Sequence, residues 1–599
     1  ISLIKDCAKC LKEQFQLMED SLDNPNFVAV IDAMSDVKPI LQDWLNRILV
    51  GSVPEVRSGT VLTIRLQGAI GESPQQSLFG TAVTVHEIDQ ALRRAASDTR
   101  IDAVLLEIGP LTGGYGKVQE VRAAVGHFRE SDKPVVAFLE LASNLDLYVA
   151  SAANIIYQIP SGSLILGMYV QQPFYRDFFD KIGVRFEVFA SGPYKSAFAS
   201  YTDTAPSDAQ YEMEDSLLEN LYRQWLGDVA ADRGMTVESV ATAFDEGYLS
   251  ARRAQAVGFI DELGYRDMLE AKLAEFAGES PLHVSVRDYL RDTEPTELFA
   301  PESTIALIYI SGMMVPGDFD TGLFGAEVAA GGTIERYIRE ASEDPSVKAI
   351  VLRVDSGGGA VTAADVMGRA IELAAQQKPV VVSMSDVAAS GGYWIASKAT
   401  RVFANRATYT GSIGVVMARP DLEGTYALLG INQEIIKRGK NADLMSTTGP
   451  LRPDQIDILT RNVTDIYEEF LDVVSEGRNM DRNTVDSVAQ GRVWTGEQAL
   501  DHNLVDDIGG LREALVAARA DAGIEPGQRT ALRIFPPTRT IFDELASLFN
   551  ISAVTLRSSP MPSGPLSLSL GAVWERIRIL QIAGPLWAIM DTALPVPAR

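Results

Sequence analysis

Residues 378–397 read KPVVVSMSDVAASGGYWIAS. Val380 to Met384 is a short run, rich in β-branched residues, with the length and composition of a buried strand. Small residues follow, Ala388-Ala389-Ser390-Gly391-Gly392, and then Tyr393-Trp394-Ile395, which read as the opening of a helix. Ser390 therefore falls at a strand-to-helix junction, where unpaired amides and the positive end of the helix converge. That is a setting for a nucleophile, and the rest of the chain must supply whatever activates it.

Outward from this block, one series of segments occurs twice. Lys378-Pro379-Val380-Val381 has its counterpart in Lys133-Pro134-Val135-Val136, and Tyr393 in Tyr148. Upstream, VKAIVL at 347–352 matches IDAVLL at 101–106, and Thr304 to Met314 matches Thr60 to Ile70. Downstream, Leu428-Leu429-Gly430-Ile431 matches Lys181-Ile182-Gly183-Val184, and HNLVDDIG at 502–509 matches AVGFIDELG at 256–264. The offset stays between 244 and 247, which chance does not sustain over two hundred residues. Apolar runs alternate with longer amphipathic stretches in both halves, a βα signature. The expected architecture is a tandem duplication of one α/β domain, at 56–300 and 301–530. A helical appendage (1–55) precedes it and a tail (531–599) follows.

With 53 basic and 80 acidic residues the net charge is −27, so a nucleic-acid partner is not expected. Cys7 and Cys10 are the only cysteines. They read as two thiols on a terminal helix, and the large domains cannot be disulfide-linked. No run approaches 18 apolar residues, so no transmembrane helix is expected. The apolar patch from Ile579 to Met590 is broken by Gly584-Pro585 and too short to span a bilayer; it suits a membrane surface or a neighbouring subunit, and packing on a subunit is the expectation. No cofactor and no metal are expected.

The duplication permits a comparison within one chain. Aligned through Lys133 and Tyr148, the first half has Leu145 where the second has Ser390. The first half in turn carries Lys195, in the turn ASGPYKSAF at 190–198, where the second half has Ala442. A site split between the halves explains both differences. Serine is a weak nucleophile until a base takes its proton. The four histidines, His86, His127, His283 and His502, lie in no suitable constellation, and G-x-S-x-G is absent. A lysine serves if desolvation lowers its pKa from about 10.4 toward 7, with Tyr194, Ala197 and Phe198 as the apolar wall. The Lys195 amine and Ser390 hydroxyl are then expected within about 2.6–3.2 Å. The glycine-rich turn SGGGA at 356–360 follows a strand and precedes a helix. Its Gly358 N–H, with the Ser390 N–H, is the expected oxyanion donor pair. Ser412, in TGSIG at 410–414, is a candidate to orient the lysine or a structural turn residue. Tyr393, Trp394, Met313 and Met314 are expected near an apolar groove.

The blocks SGGG at 356–359, AASGGYW at 388–394, TGSIG at 410–414, YKSA at 194–197 and VWTG at 493–496 together resemble the long form of the bacterial signal peptide peptidase A family. The resemblance covers about 58–530. It implies a ClpP/crotonase-like fold in each repeat and a serine protease with a Ser-Lys dyad. In that scheme Ser390 is the nucleophile, Lys195 the general base, Gly358 an oxyanion donor and Ser412 the lysine-orienting residue. It further implies a homotetramer acting on hydrophobic peptides, chiefly cleaved signal peptides, at the periplasmic face of the bacterial inner membrane. The family usually has proline where Gly357 stands, and its long form has an N-terminal anchor that 1–50 do not resemble. Two other functions share parts of the pattern: a crotonase-type acyl-CoA hydrolase or isomerase, and an inactive peptide-binding scaffold.

Overall fold

The computed structural model describes residues 56–73, 82–293, 303–318, 328–525, 527–537 and the backbone of 586–589. The expected appendage, with Cys7 and Cys10, and most of the tail lie outside the described residues. The described residues from 57 onward form one compact unit.

Each half builds a sheet with the same strand order. In the first it runs Tyr248–Ser250, Ile155–Ile165, Val135–Ala142, Ile101–Thr112, Thr60–Ala69, Leu282–Ser285. In the second it runs Val493–Thr495, Tyr409–Gly411, Val380–Ala389, Val347–Ser356, Ser303–Ser311, Thr530–Phe535. This last strand pairs in parallel with Ser303–Ser311, which carries the second sheet past the expected edge at 530. The central strands are parallel and joined by helices, among them Tyr115–Arg129 and Val361–Ala375. Helices cover both faces, so the strands are apolar on both sides. Ile350, Leu352, Val380 and Val382 enter one core cluster, while Val351 and Val381 enter another with Leu511 and Ala514.

A third sheet joins the halves. Arg185–Ala190 of the first half pairs antiparallel with Val416–Asp421 of the second, from Val416 against Ala190 to Asp421 against Arg185. The pairing is not returned. The counterparts of these strands, near 432–437 and 170–175, have no strand partner, and 432–437 is exposed. The halves thus meet head to tail.

Candidate active site

Ser390 ends the strand Val380–Ala389 and caps the helix Gly391–Ala396, with φ 54° and ψ −118°. A serine at positive φ is strained and persists only where its surroundings hold it. Its N–H donates to Gly411 O at 2.9 Å, and its carbonyl accepts from Trp394 N at 2.8 Å. Gly392 lets the helix start abut the glycine-rich turn, because a Cβ there would lie 2.6 Å from Ser356 O.

Lys195 arrives from the other half, in the loop after Arg185–Ala190, and is buried. The loop is clamped by residues 490–494. Tyr194 N–H donates to Gln490 O at 3.1 Å, and the Arg492 guanidinium lies between the Tyr194 and Trp494 rings, 4.9 and 4.4 Å from their centroids. Gly491 is required for this approach, since a Cβ there would lie 2.5 Å from Lys195 N. The VWTG block therefore contributes to the lysine clamp, a role its sequence did not suggest.

Lys195 Nζ lies 2.9 Å from Ser390 Oγ, 2.9 Å from Ser412 Oγ and 2.9 Å from Ser412 O. Burial alone, with no carboxylate opposing it, pulls the amine down to about 7. A neutral amine has two N–H groups and one lone pair. Donation to the two Ser412 oxygens leaves the lone pair facing the Ser390 hydroxyl.

Several expectations change. The Ser390 N–H already donates to Gly411 O, so it is not an oxyanion donor. Gly358 N–H points to Ser356 Oγ at 3.1 Å, and that hydroxyl donates to Gly312 O at 2.6 Å. The adjacent Gly391 N–H is the first helical amide, which has no intrahelical acceptor. Tyr393 and Trp394 belong to the core. Tyr393 donates its hydroxyl to Leu504 O at 2.8 Å, and Trp394 packs on Phe470. In the first half, Ser143, not Leu145, caps the helix after the matching strand, in ordinary extended backbone at φ −103°. Ala442 sits in an exposed turn. His127 meets Arg512, His283 meets Thr63 and Glu270, and His502 packs on Trp494.

Part of the patch expected to pack on a neighbouring subunit instead forms a strand within this chain, beside the glycine-rich turn. Leu586–Ile589 runs antiparallel to Gly358–Ala360 on one side, with Gly358 opposite Ile589. On its other side it pairs with Val416 and Met417. A buried serine and lysine in contact, next to a groove that takes an extended chain, make an arrangement suited to acyl transfer from peptides.

The sequence profile of peptidase family S49 matches residues 127–279 and 372–525, one stretch in each half. The chain is 34% identical over 503 residues to the chloroplastic serine protease SPPA of Arabidopsis thaliana, covering 82% of this chain and 74% of that one. It is 32% identical over 499 residues to Protease 4 of Salmonella typhi, covering 78% and 79%. Among solved structures, a ClpP1 mutant from Listeria monocytogenes is 15% identical, covering 35% of this chain and 94% of that one, with a TM-score of 0.23. With its duplicated α/β fold, the chain belongs to peptidase family S49 and is a serine protease.

Proposed function

We propose that the chain is a Ser-Lys endopeptidase that degrades hydrophobic peptides, remnant signal peptides among them, through an acyl-enzyme. The observation that carries this reading is the Lys195 amine, buried without a carboxylate and 2.9 Å from Ser390 Oγ. Ser390 Oγ attacks the scissile carbonyl carbon while its proton passes to Lys195 Nζ. The ammonium, held by Ser412, returns that proton to the leaving amine as the C–N bond breaks. Water then attacks the ester, gives its proton to Lys195, and Ser390 departs with it. The oxyanion is assigned to Gly358 N–H, turned from Ser356 Oγ when substrate binds, and to Gly391 N–H in place of that of Ser390.

The strand Leu586–Ile589 supports an extended peptide as substrate, since main-chain pairing on both sides binds a chain whatever its sequence. Tail and substrate then compete for one groove. Truncation before residue 580 is expected to lower KM about threefold to tenfold at unchanged kcat. An unchanged KM would remove the tail from the groove.

The head-to-tail junction supports assembly of copies, because an unreturned interface leaves ends for a further copy and closes into a ring where the rotation allows. A tetramer is the form we assign. Among the described residues no helix is long and apolar enough to cross a membrane. The proposed place of action is nonetheless the periplasmic face of the bacterial inner membrane, where cleaved signal peptides are left.

A fluorophosphonate probe tests the chemistry. It is expected to label the wild type but neither Ser390→Ala nor Lys195→Ala. Equal labelling of Lys195→Ala would remove the dyad. Acyl-CoA hydrolysis that survives Ser390→Ala would favour a crotonase-type enzyme, and an unreactive wild type a scaffold.

A further inference from the structure

A second lysine crosses the junction in the same direction as Lys195. Lys117, in the first-half helix Tyr115–Arg129, reaches into the second half with its amine 2.7 Å from Asp355, 3.3 Å from Asp386 and 3.5 Å from Glu72. We infer that Lys117 is a positioning residue for the active site, fixing the glycine-rich turn through Asp355 and the nucleophile's turn through Asp386. This rests on Ser390 being the nucleophile.

The two carboxylates occupy the places that set the site. Asp355 immediately precedes Ser356, the residue that holds both Gly358 N–H and Gly312 O. Asp386 lies four residues before Ser390. Between them the strand pairing breaks register. Val354 is opposite Met384, but Ser356 is opposite Ala388, so the nucleophile strand carries a bulge at Ser385–Val387. Bulges beside active sites re-aim the residues that follow. This one is closed from both ends. Val387 N–H donates to Asp355 at 3.1 Å, and Asp386 accepts from the Gly114 and Lys117 N–H groups at 3.2 and 2.8 Å, at the start of the first-half helix.

The charge belongs to the junction alone. In the matching helix Val361–Ala375 the position of Lys117 is taken by Ala363, the same kind of asymmetry as Lys195 against Ala442. The two lysines hold opposite states. Burial pulls on both amines, but Asp386, Asp355 and Glu72 push that of Lys117 well above the usual lysine value, whereas nothing opposes burial at Lys195. One is built to stay charged and hold backbone, the other to exchange a proton. Without the Lys117 charge, Asp355 and Asp386 lose their shared cation across the bulge, and Glu72 keeps only the Arg353 cation. The two aspartates separate or take up protons, and either response moves Ser390 Oγ relative to Lys195 Nζ.

The test is steady-state peptide hydrolysis by the full chain carrying Lys117→Met or Lys117→Arg. The expected result is a kcat lower by about 10–100-fold in Lys117→Met, with KM within about twofold of wild type. Lys117→Arg is expected to recover most of the loss, because it restores the cation. A folded Lys117→Met with wild-type kcat would overturn the inference, as would equal impairment of both variants or a loss confined to KM. Should Lys117→Met fail to fold, Asp386→Asn decides, since it keeps an acceptor oxygen for one of the two helix amides and removes the paired charge. A fall in kcat at unchanged KM supports the inference, and wild-type kcat overturns it. These outcomes are separate from failure of the dyad, which would show as full probe labelling of Lys195→Ala.

Discussion

Lys195→Met is expected to remove activity and, near neutral pH, to make the folded chain more stable. The activity loss follows from taking away the general base, about 10²–10⁴-fold in kcat/KM. The gain in stability follows from what burial does to the amine. It is pulled from an ordinary lysine value to about 7, whereas the unfolded chain keeps its proton to about pH 10.4. Between those values the unfolded state binds the extra proton, so this contribution to stability rises with pH across the window. It is complete above the unfolded value and lost as pH falls through about 7. The cost near pH 7 is then roughly 5 kcal/mol. Methionine avoids that cost but leaves Ser412 and Ser390 oxygens without their partner, a loss of about 1–3 kcal/mol. A net gain on the order of 2–4 kcal/mol remains. Urea unfolding at pH 7 and pH 10 measures it: Lys195→Met should be the more stable at pH 7 and should lose that advantage, or fall below wild type, at pH 10. Wild type the more stable at pH 7, or parallel dependence on pH, would show that the amine is not held neutral. The wild-type kcat/KM should in turn rise with pH through about 7, as Lys195 loses its proton.

Much of the fold and both ends of the Ser390–Lys195 contact were legible because a duplicated chain carries its own reference. Where both halves keep an apolar run, the run builds the sheet. Where one half has lysine and the other alanine, chemistry is the economical explanation, whereas at the nucleophile both halves have serine, Ser143 and Ser390, and differ in backbone, φ −103° against 54°. The same comparison sets Lys117 against Ala363, but a lysine that holds backbone looks like any other lysine on a helix until its partners are seen. The match of Leu145 to Ser390 failed for a local reason. Val380–Ala389 is two residues longer than Val135–Ala142, and the bulge takes up the extra length, so alignment through the flanking lysine and tyrosine slips at the turn. The Ser390 amide is not free for an oxyanion because its acceptor, Gly411 O, comes from a neighbouring strand 21 residues on. Its partner depends on sheet register, which residue types do not display. Tyr393 and Trp394 looked like groove residues because aromatic side chains serve core and groove alike. The tail strand's place in the sheet left no signal, since pairing by backbone requires no particular side chains.

The other large effect belongs to the junction itself. Arg353 is wholly buried and spans the two halves, with Nε 2.5 Å from Glu72 and an Nη 2.7 Å from Glu120. It also donates to Ser383 and Ser385 of the nucleophile strand at 2.8 and 3.0 Å. Glu120 in turn accepts from Asn405 at 2.8 Å and from the Leu511 amide at 2.9 Å, so first-half carboxylates bind four segments of the second half through or beside one guanidinium. Arg353→Met takes the guanidinium from Glu120 and leaves Glu72 only the Lys117 amine, 3.5 Å away and out of water, for which the expected loss is about 3–5 kcal/mol. Burial pushes Glu120 toward its neutral form even with the arginine present, so part of the loss should be recovered by proton uptake at lower pH. Adding Glu72→Gln and Glu120→Gln to Arg353→Met should recover more, because the cost lies in unpaired charge rather than in a missing attraction. Urea midpoints of the single and triple variants measure both claims. A single variant within about 1 kcal/mol of wild type would mean the ion pair does not hold the halves together. A triple variant no better than the single would place the cost in packing. If the charge account holds, Arg353 and Lys117 divide the junction between them. Arg353 keeps the halves joined, and Lys117 shapes the bulge that presents Ser390 to a lysine from the other half.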